Sequence, residues 1–347
     1  MRSHFLPRLG RRKTLAVAAF AAFFFIAHAA TAEQLTKLSM RLDWLPSGQH
    51  APIFLAEGKG WFKKYGLDVT LYDGTGSAAA VQLVGAGQFD VAQAELSNLA
   101  FARSKGVPII SIGGIFRKGD IGMLIPVDSP IHSIKDLKGK TVSYTASSFE
   151  SPFMDAFLAT GGLTRADVTL VNTDASGKTA SLLTGQADGV MGSPPSQIPL
   201  FAGKKPVRAI SFADIGLNLP GYGIVTSEAM LKKEGPALSK LVSVIAGAWT
   251  YTLAGHEDEA VAAIVKARPQ AKLNPTIIAA QMKLDRAYIF TPSTEKLPIG
   301  FQTDSDWTSA IAVMEKAKTI EPGSKPKDYF TNAYLDTKII KAVAAGP

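Results

Sequence analysis

Apolar and polar positions change period twice between residues 38 and 71. From Leu38 to Trp44 they alternate, which predicts a half-buried strand. Pro46, Ser47 and Gly48 break it and open a loop. Pro52 suits the first turn of a helix, where its missing N–H has no partner to lose. Ile53, Phe54 and Leu55, then Trp61 and Phe62, give that helix a buried face. Gly66 ends it in a left-handed turn, and Val69 and Leu71 begin a second strand. Asp43 and Trp44 thus fall at a strand's carboxyl end, the edge where open α/β sheets bind ligands. A Trp there offers a flat stacking face and an Asp a charged acceptor.

Further strands are predicted at 107–112, 123–127, 141–144, 168–172 and 207–211, alternating with helices. That order predicts an α/β protein with mostly parallel sheets and helices on both faces. Gly85 to Gln93 reads as a turn feeding a buried strand, and Gly185-Gln-Ala-Asp-Gly-Val190 repeats the device. An Ala-rich helix precedes each, at 78–84 and 179–184, so two lobes of similar build are expected. Asp128-Ser-Pro130 and Asn218-Leu-Pro-Gly221 read as the two crossings between them. Lobe one then holds residues 33–125 with 220–347 and lobe two 126–219, a double hinge suited to closure. Asp73-Gly-Thr-Gly-Ser77 is a tight turn; no Gly-Lys-Ser/Thr follows to make a nucleotide site. Beyond Ser227 the pattern predicts helices at 229–233, 236–254, 257–267, 274–290 and 307–317, an outer covering with little chemistry.

Composition changes this picture at the N-terminus. Arg2, Arg8, Arg11, Arg12 and Lys13 precede an apolar run from Leu15 to Ala27 and a small-residue end at Ala30-Thr31-Ala32. Residues 1–32 therefore read as a secretory signal peptide, too short to span a membrane in the mature protein, and the product is expected in the periplasm. The leader holds five of the 37 basic residues and none of the 29 acidic ones. Most of the net charge of +8 thus leaves with it, and no basic stripe remains for nucleic acid. The absence of cysteine excludes disulfides, thiolate metal sites and a lipoprotein anchor.

Reactive constellations are missing as well. There is no Gly-x-Ser-x-Gly elbow, His-Glu-x-x-His pair or dinucleotide fingerprint, so neither enzyme activity nor a cofactor is expected. His132 reads as a surface residue and His256 as a solvated cap. His50, close to Trp44, fits a ligand contact or a structural role equally. Thr145 to Glu150 follows a strand and precedes a helix with Pro152 near its start. Helix-start N–H groups attract oxygens, and Ser147 and Ser148 add hydroxyl donors beside Phe149 and Glu150. N-capping by one Ser and a dipole partner in Glu150 are the plainer alternatives. Gln93, Glu95, Ser193 and Tyr222 lie at strand ends or crossings and complete the candidate binding set.

The segments DW-P, H-PIFLA, KG-F and GLDV resemble the opening of the thiamin-pyrimidine-synthase-like (NMT1/THI5-like) periplasmic-binding-protein family. The likeness continues in Gly87 to Asp90, Asp136 to Lys140, Leu297 to Trp307 and Asp328 to Leu335. It implies a type II periplasmic-binding-protein fold and a solute receptor that docks, as a monomer, on the permease of an ABC importer. The implied ligand is a small heteroaromatic, a thiamin pyrimidine precursor first and riboflavin next. Receptors for nitrate, sulfonate or taurine are the alternative, although no Arg stands in the candidate stretches. The synthase branch carries a lysine and, four positions on, a histidine where this chain has Gln93 and Ser97. Its cysteine-rich run corresponds to Leu217 to Tyr222, which has no thiolate, so the resemblance favours a receptor over an enzyme.

Overall fold

The computed structural model describes residues 1–4 and 34–346; the leader expected over 1–32 lies, beyond its first four residues, outside the described residues. The first strand, β1 (Thr36–Arg41), buries Leu38 and Met40 as the alternation requires. It stops three residues short of Trp44, because the turn through Pro46 begins at once. Nine more strands follow: β2 (Leu67–Tyr72), β3 (Val91–Glu95), β4 (Ile109–Gly114), β5 (Gly122–Pro126), β6 (Thr141–Tyr144), β7 (Thr169–Asn172), β8 (Gly189–Gly192), β9 (Val207–Ser211) and β10 (Tyr222–Ser227). They form two five-stranded sheets, ordered β2-β1-β3-β10-β4 and β7-β6-β8-β5-β9.

The two sheets share one plan, and the repeated Gly-Gln-x-Asp marks the same point in each. Asp90, before β3, accepts the Ser39 N–H of β1 at 2.7 Å, and Asp188, before β8, accepts the Thr141 N–H of β6 at 2.8 Å. Each aspartate pins the turn before one strand to its parallel neighbour, Asp90 to the middle of β1 and Asp188 to the start of β6.

One expectation holds with a qualification and one needs correction. Four strands of each sheet run the same way, as expected, and one runs against them: β10 is antiparallel to β3 and β4, and β5 antiparallel to β8 and β9. Both strands enter their sheet directly from the other one, without the crossover helix that makes neighbours parallel. The first crossing also lies earlier than Asp128, between Gly114 and Gly122, since β5 already belongs to the second sheet. Most of it is buried, through Ile115, Phe116, Arg117, Asp120 and Ile121, around the exposed Lys118. Asp128 to Pro130 is only the turn beyond the far end of β5. Helices from Glu228–Leu253 to Thr337–Ala344 follow β10, one of them Pro275–Ile289, which packs against Pro194–Phe201 beside the second sheet. Among the described residues no helix is long and apolar enough to cross a membrane.

Candidate functional site

Four strand ends meet at one place. β1 and β3 are parallel neighbours whose chain departs in opposite directions, and β6 and β8 repeat that arrangement in the second sheet. Such a switch point leaves a crevice at the carboxyl edge. Asp43 and Trp44 follow β1, Thr145 to Glu150 follow β6, and Ser193 follows β8. Tyr222 opens β10, whose antiparallel run sets it opposite Glu95 at the end of β3. A cavity of about 660 Å³ lies between these segments, within the usual size of a small-molecule site.

Asp43, Trp44, Ser148, Phe149, Ser193 and Tyr222 line this cavity. Ser147 lines a second space of about 270 Å³, which shares the Trp44 indole as a wall. His50, Gln93, Glu95 and Glu150 are buried and absent from both linings. The cavity also takes residues that sequence reasoning did not select: Gln49, Lys178, Gln197, Arg268 and Gln281. The helices after Ser227 therefore carry chemistry after all, and an Arg does stand in the wall.

His50 acts through Asp43. The Ser47 N–H donates to His50 Nδ1 at 3.1 Å, so the ring proton sits on Nε2, which donates to Asp43 Oδ1 at 2.8 Å. Gln49 Nε2 donates to the same oxygen at 3.2 Å. Asp43 only accepts, which fixes the Gln49 amide with its oxygen turned away. Both donors are neutral, so the Asp43 carboxylate has no cation beside it.

Lys178 stands on the opposite wall in the helix Ala175–Leu183, almost wholly buried and paired with the buried Glu150. Glu150 Oε1 also accepts the Thr145 N–H at 3.0 Å. The Lys178 ammonium lies 5.3 Å from the centre of the Trp44 ring, a cation–π contact that fixes one face of the indole. Arg268 is likewise occupied: it donates to Asp73 Oδ1 and to the Leu71 carbonyl, both at 2.9 Å.

Behind the wall lies a group of buried acids. Ser193 Oγ, at the cavity surface, donates to Asp120. Burial raises Asp120 to a pKa of about 6, against the hydrogen bond from Ser193, and the Asp43 charge adds to the rise. Glu95 is raised well above its ordinary value, first by burial and then by the neighbouring charge of Asp120. Burial raises the Tyr222 phenol too, with the charges of Asp43, Asp120 and Glu95 adding to it. Asp285, in the helix Pro275–Ile289, is raised by burial and by Asp120.

The two sheets are bridged on both flanks of the cavity. Ser147 Oγ donates to the Thr75 carbonyl at 2.6 Å, and the Ala79 N–H donates to the Ser147 carbonyl at 3.2 Å. Gly76 makes this approach possible: a Cβ there would collide with the Ser147 carbonyl, and its φ of +142° suits glycine alone. Asp73 to Ser77 is thus a docking surface for the opposite segment as well as a turn. On the other flank Gln281 accepts the Gly48 N–H at 2.9 Å and donates to the Ser196 carbonyl.

Comparison with known proteins gives this arrangement a context. The family model described as NMT1/THI5 like matches residues 47–260. A Haemophilus influenzae protein named for thiamine biosynthesis is 35% identical over 157 residues; the match takes in 45% of this chain and only half of that relative. The formylaminopyrimidine-binding protein of Halalkalibacterium halodurans is 24% identical over 311 residues, 86% of this chain and 91% of its own length. A Saccharomyces cerevisiae 4-amino-5-hydroxymethyl-2-methylpyrimidine phosphate synthase is 32% identical, over 31% of this chain and 32% of its own. Among solved structures, the alkanesulfonate-binding protein of Xanthomonas axonopodis pv. citri superposes with a TM-score of 0.64 at 16% identity, covering 87% of this chain and 99% of that one. At that identity the likeness concerns the fold, that of a periplasmic binding protein.

Proposed function

Because the chain belongs to the NMT1/THI5-like family, we propose that it is the solute receptor of an ABC importer, taking a flat heteroaromatic molecule between two lobes. The observation that carries this reading is the cavity between the carboxyl edges of both sheets, with the Trp44 indole in its wall. Closure follows from ligand contacts that exist only when both lobes engage it. The bridges from Ser147 and Gln281 are the contacts of that closed state. A thiamin pyrimidine precursor is the leading ligand, supported by the formylaminopyrimidine-binding relative that aligns along nearly its whole length.

The synthase relative raises enzyme chemistry as a second reading. Against it, Gln93 and Ser97 stand where the synthase branch carries lysine and histidine, and neither lines the cavity. An anion receptor is disfavoured because Lys178 and Arg268 already answer Glu150 and Asp73. We read the protein as a non-enzymatic, monomeric receptor, exported with cleavage after Ala32, which leaves Glu33 as its first residue. Its partner is the permease, with no role for nucleic acid. Titration calorimetry with a panel of pyrimidines, flavins, nitrate and sulfonates tests the ligand class. The reading expects saturable binding of a pyrimidine or flavin, and binding confined to the anions contradicts it.

A further inference from the structure

Asp285 is fully buried, and neither of its carboxylate oxygens has a hydrogen-bond partner among the described residues. Other buried acids around the cavity are answered. Asp43 accepts from His50 and Gln49, Glu150 holds Lys178, and Asp120 accepts from Ser193. Glu95 also lacks a partner, but it stands in the first sheet itself, in register with Tyr222. Asp285 lies instead in the helix Pro275–Ile289, which packs against Pro194–Phe201, the helix that follows β8 of the second sheet.

Four residues separate Asp285 from Gln281, so the two share one face of their helix. Gln281 donates to the Ser196 carbonyl near the start of Pro194–Phe201. One turn beyond Asp285, the Lys118 N–H of the first crossing donates to the Tyr288 carbonyl at 3.1 Å. Asp285 thus sits between a contact that spans the lobes and a crossing about which they turn.

No cation answers it there. Arg286 pairs with Glu257 of the helix Glu257–Ala267, and Lys283 is exposed. On that neighbouring helix Glu259 pairs with Lys59, while Asp258 and Lys266 are exposed. Pro194–Phe201 has no ionisable side chain, and Gly48–His50 brings only His50, which is bonded to Asp43. In the crossing, Arg117 donates to the carbonyls of Ile289, Pro298 and Phe301, and Lys118 is exposed. Tyr288, whose phenol burial lifts to about 12, carries no charge. What remains is Asp120, whose charge works in the same direction as burial and favours the protonated acid.

We propose that closure of the lobes is coupled to a proton on Asp285: the closed state holds the residue neutral, and opening hydrates it and lets the proton leave. A carboxyl with no partner is tolerated in a protein interior as the acid and opposed there as the anion. Opening that breaks the Gln281 bond to Ser196 withdraws Pro194–Phe201 from this face and brings water to Asp285. The closed state therefore binds the proton more tightly than the open one. Closure takes up about one proton from solvent, is favoured in acid, and weakens as pH rises beyond the ordinary carboxylate range near about 4. A receptor so built holds its ligand more firmly in an acidic medium than in an alkaline one. This inference rests on the two-lobed reading above and does not depend on which ligand the cavity takes.

The test is calorimetric titration with 4-amino-5-hydroxymethyl-2-methylpyrimidine at pH 6, 7 and 8, on the full exported chain and on Asp285→Asn, an uncharged side chain of the same shape. Taking the ratio of the two affinities cancels any titration of the pyrimidine and of the acids common to both proteins. Between pH 6 and 8 the wild type is expected to lose affinity relative to the variant by about tenfold or more, the limit for one coupled proton being tenfold per pH unit. A ratio that stays constant across this range overturns the proposal. Asp285→Ser, smaller and equally neutral, takes the place of the Asn variant if a melting curve shows that one unfolded. If the pyrimidine does not bind, the heteroaromatic reading fails by itself, and X-ray scattering of the ligand-free chain decides. The radius of gyration should then rise from pH 6 to 8 in the wild type and stay level in the variant; the same response in both overturns the proposal.

Discussion

The ammonium of Lys178 lies 5.3 Å from the centre of the Trp44 indole while Glu150 neutralises its charge. One residue from each sheet's ligand edge thus meets the other, and the indole is held from one side with its remaining surface shared between two spaces. Trp44→Ala should weaken ligand binding by about 1–3 kcal/mol, the scale of lost base–aromatic stacking. Calorimetry and a melting curve separate this from a packing role. A lower melting temperature with unchanged affinity would show that the indole is core and not platform.

The ion pair behind the indole has its own consequence. Removing one partner leaves the other charge buried, a loss of about 3–5 kcal/mol. Lys178→Met should therefore destabilise strongly in urea, and Lys178→Met with Glu150→Gln should recover much of the loss. If the double variant is no more stable than the single one, the burial of an unpaired Glu150 is not the cause.

Gln281 joins the Gly48 loop to the Ser196 carbonyl across the cavity. Gln281→Ala removes the bond to the Ser196 carbonyl, the one of its two that spans the lobes, worth about 1 kcal/mol. Affinity should drop roughly fivefold, and the ligand-saturated protein should show a larger radius of gyration in X-ray scattering. Wild-type values for both quantities would mean that the bridge does not take part in closure.

Much of this arrangement was legible beforehand, for identifiable reasons. A strand end before a Pro-Ser-Gly break announces where Asp43 and Trp44 stand, and the recurring Gly-Gln-x-Asp announces two sheets of one plan. The direction of β5 and β10 was not legible, since strand direction depends on which sheet the chain comes from. Lys178 looks like any lysine on an Ala-rich helix until Glu150 and Trp44 are brought to it by the second sheet. Gln281 and Asp285 did leave a signal. They occupy the stripe of Ile278, Met282 and Ile289, the buried face of the helix Pro275–Ile289. Polar residues at helical spacing inside an apolar stripe mark a buried polar site.

The acids behind the cavity make stability depend on pH. Burial raises Asp120 from 3.8 to about 6, so the folded state holds a proton that the unfolded chain releases. Its contribution is complete below about pH 4 and is lost as pH rises through about 6, on the order of 2–3 kcal/mol. Asp120→Asn keeps an acceptor for Ser193 and carries no titrating proton. Urea unfolding between pH 4 and 7 should show a shallower decline for this variant, and a slope identical to wild type contradicts the assignment.

Native mass spectrometry of the protein purified without denaturation, followed by release and identification of what it carries, reads the ligand class at once. One small molecule per chain is expected, aromatic in its ultraviolet absorbance and lost in Trp44→Ala. An aliphatic sulfonate, nitrate or other non-aromatic anion released in that stoichiometry would contradict it.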